Sequence, residues 1–118
     1  MTGAPAPTAG SLAEGIGAEF LERQGLRVIA RNYRCRFGEI DLIATDRDTL
    51  VFVEVRMRKS GAFGGAIASI DRTKQKKLLL TARHYLSRLA REPICRFDAL
   101  LLDALDANRI EWLKSVIG

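Results

Sequence analysis

The sequence predicts a single α/β domain in which a mixed β-sheet is flanked by helices, with elements in the order α-β-β-β-α-β-β. The length of 118 residues suits one domain. Hydrophobic residues make up 47% and charged residues 28% of the chain, a balance typical of globular rather than disordered proteins. Apolar residues recur with the helical period in two segments and with the strand period in five others.

Two segments have the apolar period of amphipathic helices. Residues 11–24 carry one apolar stripe and end before Gly25, a typical C-terminal stop. Residues 71–91 form the clearest helical pattern, and Pro93 lies just beyond their end. The predicted apolar face of this second helix comprises Leu78, Ala82, Tyr85, Leu86 and Leu89.

Strand patterns occupy the remaining segments of the predicted domain, residues 11–118. The predicted strands are 26–33, 37–45, 49–57, 96–103 and 108–114. The second and third form a hairpin whose turn is centred between Arg47 and Asp48. Residues 1–10, rich in Ala, Pro, Thr and Gly, are expected to form a disordered tail.

Composition favours a cytoplasmic protein with an anionic partner. No apolar run approaches the roughly 18 residues that a membrane span needs, and the N-terminus lacks the pattern of a secretory signal. The two cysteines, Cys35 and Cys95, lie far apart, which suits free thiols in a reducing cytoplasm. A net charge of +5 favours nucleic acid as the partner.

The predicted hairpin carries the sharpest functional signal. Side chains two residues apart in a strand share a face. Asp41 is therefore expected to point to the same side as Glu39 and away from Ile40 and Leu42. The predicted turn sets Asp41 directly opposite Glu54 on the partner strand, so two carboxylates would face each other across the ladder.

Opposed carboxylates repel each other, and burial makes the repulsion more costly. A divalent cation would compensate, since Mg²⁺ (or Mn²⁺) is typically held by one or two carboxylates together with phosphate oxygens. Arg56 lies two residues after Glu54 on the same face and would either orient the attacking water or stabilise the charge of a phosphodiester transition state. The alternative is a structural ion-pair cluster, in which Arg56 and other arginines neutralise both acids without a metal.

Four strings in this order resemble the YraN-like family of small, largely uncharacterised bacterial proteins: NYRCRFGEIDLIA, LVFVEVRMRKS, FGGAIASIDRTKQKKL and RFDALLLD. The resemblance covers about residues 11–103. It implies a restriction-endonuclease-like fold within the PD-(D/E)xK superfamily and kinship with Holliday junction resolvases. Such nucleases hydrolyse phosphodiesters with carboxylates and Mg²⁺, and by analogy with the resolvases a homodimer is expected.

The superfamily motif maps onto this chain residue by residue. The resemblance implies that Asp41 is the core-strand aspartate, Glu54 the glutamate of the ExK element and Glu14 the helix-borne acid, so that these three would hold the metal. The catalytic set would be Asp41, Glu54 and Arg56. Arg56 replaces the motif's lysine, and a guanidinium keeps the charge but cannot act as a base. A neighbouring lysine, Lys59 or Lys74, is a candidate substitute.

A basic surface is the second functional signal. The segment 72–91 contains no acidic residue, and a second group of arginines flanks the first predicted strand. Such cations position a nucleic-acid backbone without reading its sequence; the alternative is an ordinary solvated helix face. The candidate nucleic-acid-binding residues are Lys59, Arg72, Lys74, Gln75, Lys76, Lys77 and Arg83.

Three functional hypotheses follow from these signals. The first is a Mg²⁺-dependent, structure-selective endonuclease similar to Holliday junction resolvases, with DNA favoured over RNA and branched DNA as the substrate. The second is a catalytically inactive DNA- or RNA-binding module on the same fold, motivated by Arg56 in place of lysine. The third is a protein-interaction scaffold whose basic face meets an acidic partner.

Overall fold

The computed structural model describes residues 8–57 and 71–117. Within these ranges the chain forms two helices and five strands in the predicted order, which confirms a mixed α/β domain. The five strands form one sheet in the order β1-β2-β3-β4-β5, in which only the β3–β4 pair is parallel. The elements are α1 (Ala9–Arg23), β1 (Arg27–Cys35), β2 (Gly38–Asp46), β3 (Thr49–Met57), α2 (Arg72–Leu86), β4 (Ile94–Leu102) and β5 (Ile110–Leu113).

Helix α1 covers one face of the sheet. It begins two residues earlier than predicted because Thr8 caps it, its hydroxyl accepting a 3.0 Å hydrogen bond from the Ser11 amide. Gly17 allows a close approach to the sheet, since a Cβ at this position would lie 3.1 Å from Leu100 and 3.4 Å from Val55. The core on this face includes Leu21, Leu42, Val53, Leu100 and Leu102.

Helix α2 covers the opposite face. Asp71 caps it, its side chain accepting a 2.9 Å hydrogen bond from the Lys74 amide. The helix ends at Leu86, so the predicted continuation to residue 91 is wrong, and Leu89 is 37% exposed rather than part of the apolar face. The core on this face includes Ile40, Ile43, Phe52, Leu78 and Phe97.

The β2–β3 hairpin has the predicted turn. Asp46 pairs with Thr49, and Arg47 adopts a φ of 57° between them. Strand β3 has the predicted bounds, and β1 and β2 are each shifted by one or two residues at their ends. Both cysteines are free, Cys35 half-buried and Cys95 exposed.

A buried carboxylate links β4 to β5. Asp98 is 1% exposed and accepts hydrogen bonds from the Trp112 indole at 2.9 Å and the Ser115 amide at 3.0 Å. The Arg96 guanidinium donates to the same carboxylate at 3.1 Å and reaches Asp46, at the end of β2, at 3.1 Å. Asp98, the first acid of the RFDALLLD string, is therefore a structural tie between β4 and β5, and Arg96 extends the tie to β2. Neither helix in the described ranges is both long and apolar enough to cross a bilayer.

Candidate metal centre and nucleic-acid interface

Asp41 and Glu54 lie together where strands β2 and β3 stop pairing through their backbones. The ladder includes the Leu42–Val53 pair, and the same register sets Asp41 opposite Glu54 at the next position. The Val55 amide donates a 2.9 Å hydrogen bond to Oδ2 of Asp41. The register that the sequence predicted is therefore confirmed.

In strand β2 the predicted alternation of side chains between the two faces of the sheet breaks down between Ile40 and Leu42. Ile40 packs into the core beneath α2, whereas Leu42, two residues later, packs into the core beneath α1. The prediction that they share a face is wrong. The start of the strand packs against α2: Gly38 lies so close that a Cβ there would be 3.3 Å from the Thr81 hydroxyl, and Ile40 is buried on that side. Asp41 therefore lies between two residues whose side chains are buried on opposite faces of the sheet.

Helix α1 brings Glu14 to the same place. Carboxylate oxygens of Glu14, Glu39 and Asp41 all lie within 4.8 Å of one another. The Asn32 amide, turned so that its nitrogen faces Glu14, donates to both carboxylate oxygens at 2.9 and 3.2 Å. Arg34 pairs with Glu39. Sequence reasoning placed Glu39 on the face of Asp41 but did not assign it to the site, and it did not find Asn32.

Burial and crowding of negative charge raise the pKa of two of these acids. Glu54 is 7% exposed, and its burial, followed by the charge of Asp41, raises its pKa to about 8 against the opposing influence of Arg56. For Glu14, burial raises the pKa to about 7, assisted by the hydrogen bond and charge of Asp41 and by the charge of Glu39. The cluster therefore holds protons near neutral pH, and a cation bound there would displace them.

Two cations approach Glu54 from different elements. Nη2 of Arg56 lies 3.1 Å and Nζ of Lys74 lies 4.0 Å from the same oxygen, Oε2 of Glu54. Nε of Arg56 is buried without a hydrogen-bond partner among the described residues. Of the two lysines considered as substitutes for the motif lysine, Lys74 reaches the site, and Lys59 lies outside the described residues.

The ion-pair alternative accounts for only part of this cluster. Glu54 has Arg56 and Lys74, and Glu39 has Arg34. Within residues 8–57 and 71–117, no lysine or arginine forms an ion pair with Asp41 or Glu14. Glu14 and Asp41 instead accept hydrogen bonds from uncharged groups, the Asn32 amide and the Val55 main-chain N–H, so direct ion pairing explains only part of the cluster.

One basic residue of α2, Lys74, reaches the acidic cluster, and the other basic residues lie on the same helix. Arg72, Lys76, Lys77 and Arg83 are exposed, and Lys74 and Gln75 are half-buried. The helix carries no acid between Arg72 and Leu86. A groove of about 520 Å³ opens over Glu14, Asn32 and Glu39, bordered by the first residues of α1. The start of the basic helix α2 therefore lies at the end of the hairpin that carries the acidic cluster.

Comparison with known proteins yields one family. The model of the family described as "Uncharacterised protein family UPF0102" matches residues 13–102. A UPF0102 protein of Methylobacillus flagellatus is 57% identical over 109 residues, covering 92% of this chain and 96% of the relative. One from Psychromonas ingrahamii is 58% identical over 106 residues, covering 90% and 86% respectively. These matches confirm the resemblance to an uncharacterised bacterial family.

Proposed function

This chain belongs to the uncharacterised protein family UPF0102, and we propose that it is a nucleic-acid-binding protein that acts as a divalent-metal-dependent endonuclease. The grouping of the Glu14, Glu39 and Asp41 carboxylates, with Glu54 opposite Asp41 in the register of the hairpin, carries the proposal. The restriction-endonuclease-like fold, implied by the sequence resemblance, belongs to the same proposal. The mixed sheet covered by one helix on each face is compatible with that fold.

The acidic cluster suits Mg²⁺ or Mn²⁺. Both ions take oxygen ligands, and the oxygens of Glu14, Glu39 and Asp41 already lie within 4.8 Å of one another before any ion binds. Glu14, Asp41 and Glu54 would hold the ion, with Glu39 as a fourth candidate ligand because its oxygen lies in the same group as those of Glu14 and Asp41. When bound, the ion would activate water and neutralise the charge of a phosphodiester.

The cationic side chains around the cluster would bind the phosphates of the substrate. Arg56, held at 3.1 Å from Glu54, would contact the scissile phosphate and stabilise its charge, and its guanidinium cannot take up a proton as a base. Lys74 approaches the same carboxylate from α2 and would supply the positive charge that the motif lysine provides in the superfamily. The exposed cations Lys76, Lys77 and Arg83 would bind neighbouring phosphates.

A nicking assay tests the proposal. The wild-type protein with Mg²⁺ or Mn²⁺ should nick a four-way DNA junction more efficiently than linear duplex. Asp41→Asn should abolish nicking, because the substitution removes the central carboxylate. Asp48→Asn is a matched control, since Asp48 is exposed in the hairpin turn at the other end of β2. Equal activity of the wild type and Asp41→Asn would overturn the catalytic proposal.

A second candidate is a binding module without catalysis. Its supporting observation is Arg56 in the lysine position, paired with Glu54. Under this alternative, binding to DNA or RNA persists in EDTA and weakens steeply with salt. Nicking by the wild type but not by Asp41→Asn decides against it.

A further inference from the structure

We propose that three clustered rings at the β1–β2 turn, those of Tyr33, Phe37 and His84, form a stacking platform for an unpaired base. This inference rests on the proposed nucleic-acid binding and adds to it the class of substrate: a strand with at least one unpaired nucleotide. The three side chains are called the aromatic patch below.

The patch is held together by direct contacts. The Tyr33 hydroxyl and Nδ1 of His84 are 2.5 Å apart, and the two ring centroids are 5.9 Å apart. The Phe37 ring lies 6.5 Å from the His84 ring at an angle of 66°. Tyr85, on the inner side of α2, meets Tyr33 edge-on at 5.1 Å. These contacts hold the three rings in place, so the side chains lose less conformational entropy when a ligand binds.

The patch is accessible and cationic. His84 is exposed, and Phe37 and Tyr33 are half-buried at the surface. The guanidinium of Arg36 lies 4.7 Å from the centroid of Phe37, and that of Arg88 lies 5.7 Å from the centroid of Tyr33. Both arginines are exposed, so in the proposed complex each would leave the ring face that it covers and bind a backbone phosphate, and a base would take its place.

The position of the patch links it to the acidic cluster. Phe37 precedes Glu39 by two residues and Asp41 by four, which is at most about 13 Å along an extended chain. The intervening Gly38 lies against α2, where a Cβ would be 3.8 Å from Cβ of Lys77. A strand stacked on the patch would therefore continue past the basic helix towards the carboxylates.

The chemistry of the patch favours an unpaired base over a duplex. In a duplex both faces of a base are covered by its neighbours, whereas an unpaired base exposes a π-face to an aromatic ring. A patch that contacted only phosphates would need no rings. Stacking does not involve the sugar, so DNA and RNA strands share this chemistry.

A fluorescence assay on the full chain tests the inference. The probes are a dT oligonucleotide and a U oligoribonucleotide of equal length, each with one central 2-aminopurine, together with a fully paired DNA duplex. Stacking should quench 2-aminopurine in at least one of the single strands. Phe37→Leu, which keeps an apolar side chain but removes the ring, should weaken single-strand binding about tenfold and change duplex binding less than twofold. Phe37→Tyr is the matched control and should retain binding.

His84→Ala, at an exposed helix position, provides a second variant that does not depend on the folding of Phe37→Leu. It should weaken single-strand binding in the same direction. Equal loss on single strand and duplex, or no loss in either variant, would overturn the stacking platform while leaving the proposed function intact. Failure of the wild type to bind the three probes while it binds a four-way DNA junction would also overturn the platform, and failure to bind all four would instead overturn the proposed function.

Discussion

The main-chain N–H of Val55 donates a 2.9 Å hydrogen bond to Oδ2 of Asp41, at the point where β2 and β3 cease to pair through their backbones. The Asp41 side chain thus connects β2 to β3 just beyond their last backbone-paired residues. The bond holds the Asp41 carboxylate between Glu14 on α1 and Glu54 on β3. An asparagine at position 41 would retain the acceptor oxygen, so Asp41→Asn removes the charge with little effect on this link.

The first prediction concerns this shared charge. In Asp41→Asn, the pKa values of Glu14 and Glu54 should both fall towards the ordinary value, because the charge of Asp41 raises both. The measurement is a carboxyl-carbon NMR titration of wild type and variant in metal-free buffer. If both titration midpoints stay where they are in the wild type, Asp41 is not the centre of the cluster.

The second prediction concerns stability and pH. Because the folded-state pKa of Glu54 is raised to about 8, the folded protein binds more protons than the unfolded chain between about pH 5 and 8. Stability should therefore fall as pH rises through this window in the absence of divalent cations. In Glu54→Gln, which keeps an oxygen for Arg56, Tm should decline less with pH, and the declines of wild type and variant across the window should differ by about 15–20 °C.

Thermal unfolding from pH 5 to 8.5 measures this slope. Glu19→Gln is the matched control, since Glu19 is exposed on α1. The control should follow the wild-type slope. If Tm of Glu54→Gln falls as steeply with pH as that of the wild type, ionisation of the buried Glu54 carboxyl is not the cause of the decline.

The third prediction concerns the basic helix. The double variant Lys76→Gln, Lys77→Gln should weaken DNA binding similarly for all sequences, because both side chains are exposed cations that would bind phosphates. The slope of log Kd against log salt concentration should decrease by about 0.9 for each duplex phosphate that the variant no longer neutralises. Arg109→Gln, an exposed substitution between β4 and β5, is the control. An unchanged salt slope in the double variant would place the nucleic acid elsewhere.

The fourth prediction separates structure from function. Asp98→Ala removes the acceptor for Trp112, Ser115 and Arg96, leaving buried donors without a partner. The free energy of unfolding should fall by roughly 3–5 kcal/mol, as measured by urea titration. Glu19→Ala, at an exposed helix position, should change it by less than about 0.5 kcal/mol. A decrease below about 1 kcal/mol for Asp98→Ala would contradict the tie between strands.

Local sequence signals predicted the hairpin well. A turn centred between Arg47 and Asp48 fixes the register that sets Asp41 opposite Glu54, although the predicted alternation along β2 fails at Ile40. The end of α2 was less predictable. Pro93 and the apolar Leu89 suggested a longer helix, and no glycine marks the actual end at Leu86.

The rest of the site depends on contacts between distant segments. The approach of Glu14 requires α1 to pack closely through Gly17, and only the family resemblance indicated that glutamate in advance. Asn32 reaches Glu14 from β1, a relationship that no local pattern reveals. Lys74 reaches Glu54 because the cap at Asp71 starts α2 beside the end of β3.

The central claim is that Glu14, Asp41 and Glu54 hold a divalent cation, and a crystal soaked with Mn²⁺ tests it most directly. An anomalous-difference map should show one strong peak bounded by these three carboxylates, and crystals of Asp41→Asn treated identically should lack it. A wild-type map with no peak at this cluster would contradict the claim.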